Sequence, residues 1–152
     1  MLKEGSAAPA FNTRDAEGKA VRLKDFRGQK VVLYFYPKDD TPGCTREACS
    51  FRDAFADFEK AGIKVLGISP DNEAKHQKFA KKFDLPFTLL TDTDHSIADA
   101  YETYGQKKFM GRTYLGVYRK TFLIDEKGKI KRIFEKVKPD EHAREVLEAF
   151  NQ

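Results

Sequence analysis

The chain has 152 residues, 28 of them basic and 24 acidic, for a net charge of +4. Its length suits one domain of about 100–200 residues, and 40% hydrophobic content with 13 Phe and 6 Tyr supports a buried core. The basic residues are scattered rather than clustered as a nucleic-acid footprint would be. The N-terminus MLKEGSAAPAF lacks the apolar stretch of about 7–15 residues of a secretory leader, and the longest apolar run falls far short of the ~20 residues that span a bilayer. The expectation is a cytoplasmic protein, where a cysteine pair serves catalysis or metal binding rather than a structural disulfide.

In chain order, residues 10–13 and 19–22 flank AEGK and read as a small N-terminal hairpin. VVLYFY, residues 31–36, is a continuous apolar run, as in a strand buried on both faces. A helix is predicted from about 42 to 60, because Ala48, Phe51, Phe55 and Phe58 recur at helical spacing and Gly62 follows as a stop. IKVLGIS, residues 63–69, is the next strand. Asp71 is the expected cap of a helix reaching about 83, with Phe79, Ala80 and Phe83 on one face and the rest of KHQKFAKKF solvated. FTLL, residues 87–90, is a short strand, and Ile97, Ala100, Tyr101 and Tyr104 make a further helical face. Residues 105–113, rich in Gly and Lys, read as a loop. YLGVYRKTFLID and KIKRIF are expected to be two antiparallel strands joined by an EKGK turn, followed by a helix carrying Ala143, Val146, Leu147 and Phe150. A right-handed crossover makes 31–36 and 63–69 parallel. The fold class is therefore α/β: one domain over 1–152, with a mixed central sheet and helices on both faces.

Both cysteines lie in PKDDTPGCTREACS, residues 37–50. Pro37 ends the apolar strand, since it has no N–H for a central ladder. Thr41 suits a helix N-cap and Pro42 the first helical position, which puts Cys44 at the third. Thr41 and Cys44 thus hold the two ends of a capping box, with sulfur where a carboxylate usually sits. A helix's first turn exposes unpaired N–H groups and about half a positive charge, which favours a thiolate. The C-terminal end of a strand is also where open α/β sheets place their sites. Asp39 and Asp40 oppose a thiolate, so a cation from elsewhere in the chain is expected to offset them. On these residues alone two readings stay open: a reactive thiol pair, or two small buried hydrophobes.

The run P-x-x-x-T-P-G-C, here Pro37, Thr41, Pro42, Gly43 and Cys44, resembles the active-site motif of peroxiredoxins, most of all the bacterioferritin comigratory protein or PrxQ subfamily. YFYPKDDTPGC, VLGISPD, FTLLTDTDH, FMGRTY and RKTFLID are similar to that subfamily's blocks, in order, over nearly the whole chain. The resemblance implies a thioredoxin-like fold and reduction of hydroperoxides without metal, haem or flavin, sustained by thioredoxin or a similar dithiol. It implies that Cys44 is the peroxidatic nucleophile, that Thr41 and Arg119 hydrogen-bond the sulfur and the peroxide, and that Pro37 shields them. Glu47 stands where relatives often carry an acid or an amide. Cys49 matches the resolving cysteine of members with both thiols in one helix, and the chain has no third cysteine. Arg119, read as part of a strand, reaches Cys44 only through the fold. A resolver in the same chain does not require a second subunit, so a monomer is expected.

Helical geometry constrains that pairing. Five residues advance ~7.5 Å and turn ~500°, which sets the two Cα atoms about 8.7 Å apart, beyond the roughly 4.4–6.8 Å of a disulfide. The bond therefore requires the helix start to unwind, and Gly43 weakens that start. Two rivals stand beside it: a thiol–disulfide oxidoreductase on the same fold, against which C-x₄-C replaces the usual C-x-x-C, and a non-catalytic redox-sensing or binding module. His76, His95 and His142 match no zinc-site spacing, and His76 reads as packed on an apolar helix face. Asp92 and Asp94 have no calcium loop around them and read as a turn and helix cap. Whether FMGRTY lines the site is left open by the sequence.

Overall fold

The structure, a computed structural model, describes residues 1–151. Its first half comprises β1 (Asn12–Arg14), β2 (Ala20–Arg22), a 3₁₀ turn (Leu23–Phe26), β3 (Lys30–Phe35), α1 (Pro42–Asp53), α2 (Phe55–Lys60), β4 (Ile63–Ser69) and α3 (Glu73–Phe83). The second half comprises β5 (Thr88–Thr91), α4 (Ser96–Ala100), β6 (Tyr104–Phe109), β7 (Arg112–Val117), β8 (Lys120–Ile124), β9 (Ile130–Phe134) and α5 (His142–Phe150).

The central sheet has the order β5-β4-β3-β8-β9. β3 pairs parallel with β4 and antiparallel with β8, so the expected mixed sheet forms around the apolar run. Strand alternation splits that run between two cores. Val32, Tyr34 and Tyr36 face Phe51, Phe58, Phe79 and Val146 from α1, α2, α3 and α5. Val31, Leu33 and Phe35 face Phe11, Ile97 and Tyr101 on the other side, which the N-terminal hairpin and α4 cover. Burying each such side chain contributes roughly 1.5–3 kcal/mol. Gly67 lies opposite Tyr34 because a Cβ there would stand 2.8 Å from the tyrosine ring.

Several elements differ from the sequence expectation. The helix expected over 42–60 breaks at Ala54 (φ −95°, ψ 4°), which turns the chain so that Phe51 and Phe58 are both fully buried. The cap of α3 is Asn72, whose side chain accepts from Lys75 N–H, whereas Asp71 turns inward. Tyr104 is in a strand, and residues 105–113, expected as a loop, contribute to the hairpin β6–β7, which stands apart from the central sheet. The single strand expected over 114–125 is therefore two: β7 pairs with β6, and β8 with β3. Arg119 lies in the Tyr118–Arg119 link where the chain changes partner, not in a strand. Asp92 does act as a cap, accepting from Ile97 and Ala98 N–H at the start of α4.

The β3–α1 loop is held by a buried polar cluster. Asp39 accepts from the Tyr36 hydroxyl at 2.5 Å and faces His76 Nδ1 at 2.6 Å, while its own N–H donates to Asp71 at 2.7 Å. His76 Nε2 lies 2.9 Å from the Leu90 carbonyl. Both ring nitrogens face acceptors, so His76 ties Asp39 to the Leu90 carbonyl of β5. The packed histidine of the sequence reading is thus a polar anchor. Asp40, at φ 57°, points away and pairs with Lys82 at 2.9 Å. Neither carboxylate is left facing the thiol uncompensated.

Removing one partner of a buried pair costs about 3–5 kcal/mol, whereas replacing both by apolar groups is often neutral. His76→Leu is expected to lose stability on that scale, and adding Asp39→Ala to recover most of it. Urea unfolding of the four chains measures the coupling; a loss below about 1 kcal/mol for His76→Leu contradicts the pairing.

Candidate active site

The end of β3 and the start of α1 place Cys44. Tyr36 N–H still donates to Ile68, and Pro37, with no N–H, ends the ladder there. Thr41 is the N-cap in extended conformation (φ −105°, ψ 156°), its carbonyl accepting from Thr45 N–H at 2.8 Å. Pro42, Gly43 and Cys44 follow as the first turn, as expected. The capping box does not form: the Thr41 hydroxyl donates to Lys38 O at 2.9 Å, and among the described residues it makes no hydrogen bond to the sulfur. Its proton goes to a carbonyl three residues back, which tightens the loop before the helix.

Cys44 is 2% exposed and Cys49 half-buried, and both thiols are free. Both lie in the unbroken helix α1, so the geometry that separates them holds here. Arg119 arrives from the far side of β3. Its Nη2 donates to Cys44 Sγ at 3.3 Å and its Nη1 to Glu47 Oε1 at 2.7 Å. A Cβ on Gly43 would stand 3.1 Å from Nη2, so the glycine of T-P-G-C leaves room for the guanidinium. Sequence reasoning found Cys44 and Arg119 but gave Glu47 no role. The available signal was its place three residues after Cys44, on the same side of the helix.

The AhpC/TSA family profile matches residues 5–133. Peroxiredoxin Bcp of Escherichia coli is 49% identical over 146 residues, which are 96% of this chain and 94% of that one. The chain belongs to the AhpC/TSA family, among the Bcp/PrxQ peroxiredoxins. A Cys-to-Ser variant of Xylella fastidiosa PrxQ superimposes with a TM-score of 0.93 at 30% identity, covering 99% of this chain and 96% of that one. The bacterioferritin comigratory protein of Xanthomonas campestris, in a study of alkyl peroxide reduction, gives 0.88 at 35% identity, covering 93% and 90%. The thioredoxin-like fold expected from the sequence is the fold of these peroxiredoxins.

Burial sets the electrostatics of this peroxiredoxin site. Glu47 is fully buried, and its Oε2 has no hydrogen-bond partner among the described residues. Desolvation raises its pKa from 4.5 to about 7, against the pull of Arg119. For Arg119, burial works against the charge, but Glu47 and Cys44 outweigh it and the pKa rises. Lys107, on β6, is lowered by burial and then by Arg119, with Cys44 acting the other way. Tyr34 is pushed well up by burial and by Glu47, and its hydroxyl also lacks a partner among the described residues. His142 sits edge-on to Phe51 and Phe134 with Nε2 2.6 Å from Thr121 Oγ1, and burial followed by Arg119 lowers it from 6.5 to about 4. The three histidines are engaged separately: His76 with Asp39, His142 with Thr121, and His95 stacked on Tyr104.

These shifts carry opposite signs in stability. Glu47 keeps its proton in the fold up to about 7 but loses it near 4.5 when unfolded. Its contribution therefore falls as pH rises through that window, by up to ~3 kcal/mol. His142 binds fewer protons folded than unfolded between about 4 and 6.5, so its contribution rises there. Subtracting a Glu47→Gln variant isolates the first effect. The stability of the native chain relative to that variant is expected to fall steadily from about pH 5 to 7.5. A flat difference in urea unfolding means that Glu47 is ionised throughout.

Proposed function

We propose that the chain is a thiol-dependent peroxidase that reduces hydrogen peroxide and organic hydroperoxides through Cys44, with Cys49 as resolver and thioredoxin as reductant. The observation that carries this is the buried Cys44 sulfur in the first turn of α1, 3.3 Å from an Arg119 guanidinium that Glu47 holds in place. The Xanthomonas relative's alkyl peroxide reduction supports the same substrate class for this chain.

The Cys44 thiolate attacks one peroxide oxygen and the O–O bond breaks. An S–O bond forms, so Cys44 becomes a sulfenic acid, and the displaced alkoxide or hydroxide takes a proton to become alcohol or water. Charge moves from sulfur to the leaving oxygen, so a fixed cation and helix N–H groups lower the barrier. Arg119 is the cation and α1 the N–H source. Pro37, half-buried at the end of β3, limits water at the loop. Thr41 serves through the loop: its hydroxyl bond to Lys38 O fixes the backbone from which α1 starts. The Cys49 thiol then displaces water from the sulfenic acid, giving the disulfide, and the external dithiol returns both thiols with two electrons and two protons.

Disulfide formation must unwind the start of α1, because a helical 44–49 segment keeps the Cα atoms about 8.7 Å apart. Glu47 and Ala48, both buried, leave their places in that step. Phe51, stacked on Tyr34 at 4.7 Å, anchors the remainder. We take the unit to be one domain over 1–152 acting as a monomer, since both thiols lie on one helix, in a cytoplasmic compartment that keeps them reduced. No described helix is long and apolar enough to cross a membrane.

Cys44→Ser is expected to abolish peroxide consumption, and a tenth of the native rate would contradict the assignment. Cys49→Ser should keep the first oxidation fast, trap a sulfenic acid that dimedone labels, and stop thioredoxin-linked turnover; normal cycling would remove Cys49 as resolver. Arg119→Ala should slow the first step on the order of 10²-fold, the effect of losing one preorganised donor, and stopped-flow mixing with hydrogen peroxide reads it directly. Amide exchange over residues 42–52 should rise in the disulfide form. Equal protection in both forms, with the disulfide confirmed by mass, refutes the unwinding.

A further inference from the structure

The β6–β7 hairpin, residues 104–117, is a short arm outside the central sheet. Among the described residues it carries all the large exposed hydrophobics except Met1: Phe109 (66% exposed), Met110 (88%), Tyr114 (46%) and Leu115 (63%). It also holds Lys107, Lys108 and Arg112 and no carboxylate, so three of the chain's four net positive charges sit on 14 residues. Apolar side chains left in water beside a concentration of charge mark an interaction surface.

The arm is fixed against the site. Lys107 Nζ donates to Val117 O at 2.9 Å, the Tyr118 hydroxyl to Gln106 O at 2.8 Å, and Tyr118 N–H to Thr103 O at 2.6 Å. Its second strand leads through Tyr118 directly to Arg119.

We propose that this arm is the docking platform for the reductant, an acidic protein dithiol of the thioredoxin type that presents an apolar rim to the Cys44–Cys49 disulfide. The inference rests on the peroxidase reading above, which requires such a dithiol. Strand alternation separates this occupant from the others. Phe109 and Tyr114 share the face of Lys107, whereas Leu115 shares the opposite face with Gln106. A hydroperoxide held at Cys44 cannot cover both faces, but a protein surface that grips the arm can. In a symmetric dimer built on this arm, three cations would meet three cations. The reductant's attacking thiolate bonds to one sulfur of the disulfide, its second thiol then releases the mixed disulfide, and two electrons and two protons pass to Cys44 and Cys49.

The test uses Lys108→Glu and Leu115→Asp, with Leu115→Ser as a milder change should the aspartate disturb the arm. Each is assayed with bacterial thioredoxin and its reductase, with dithiothreitol, and in single-turnover oxidation by hydrogen peroxide. KM for thioredoxin is expected to rise about tenfold, as for truncation at an interface hot spot, while the dithiothreitol and peroxide rates stay within about twofold. Added salt should raise the native KM for thioredoxin and do so less in Lys108→Glu. An unchanged KM for thioredoxin overturns the proposal. So does a native chain that cycles with dithiothreitol but not with thioredoxin. A changed KM for cumene hydroperoxide alone assigns the arm to the substrate instead, and a native dimer that these variants break assigns it to a second copy. A native chain that consumes no peroxide with any reductant defeats the peroxidase reading itself.

Discussion

A guanidinium that is only 23% exposed needs its charge answered by neighbours, and much of this site follows from how Arg119 is answered. One nitrogen binds a carboxylate and another binds sulfur, so Glu47 and Cys44 must lie on the same side of one helix. The close approach of Nη2 is eased by a residue without Cβ at position 43, where a Cβ would stand 3.1 Å away. The backbone bearing Arg119 must also be stiff, although it belongs to no strand, and the arm supplies this through the bonds of Tyr118 and Lys107. A fixed cation is worth more in catalysis than a mobile one, because no reorganisation is needed when charge moves to the leaving oxygen.

The same arrangement carries a buried polar atom without a partner among the described residues. Glu47 is buried with one oxygen unpaired, and its raised pKa is the price of that burial. A fully satisfied carboxylate would hold the first turns of α1 more firmly and oppose the unwinding proposed for the Cys44–Cys49 disulfide. The second half of α1 has the opposite character: Phe51 is wholly buried and contacts the rings of Tyr34, Phe58, Phe87 and His142. One helix thus joins a labile reactive end to a fixed aromatic end, with the break at Ala54 beyond both.

Much of the sheet was legible in the sequence because its strands are apolar. β3 and β4 read as buried runs, and α3 and α5 as periodic faces. The arm was not legible: its residues are exposed on both faces, so β6 shows no alternation, and Gly and Lys suggest a loop. The change of partner at Tyr118–Arg119 was hidden for a related reason, since apolar pattern marks a strand but not its neighbour. At the site, the helix start before Cys44 was legible from local chemistry, while the nucleophile's role came from the resemblance to peroxiredoxins. The hydroxyl of Thr41 was expected to serve the helix or the sulfur, yet a nearer acceptor, Lys38 O, takes its proton. The Asp39–His76 pair escaped because pairing across 37 residues leaves no local signal, and the partner of Glu47 escaped for the same reason, 72 residues away, although its place one turn after Cys44 was visible.

A buried polar pair and an aromatic anchor bracket the segment that the proposed reaction moves. Asp39 stakes the loop before α1 to α3 and β5 through His76, and Phe51 anchors the helix after Cys49. Between these points lie the eleven residues 40–50, the segment that the proposed disulfide step would unwind while both ends stay held. A short chain with fixed ends costs little further entropy to close, so the released Cys44 remains close to Cys49 rather than exploring solvent. Arg119 does not belong to the segment and sits on its braced link, so in the proposed cycle the cation would be in place to receive Glu47 and Cys44 when reduction lets the helix reform. Placing the moving groups on one element and the charge on another allows α1 to open for the disulfide without dismantling the site it returns to.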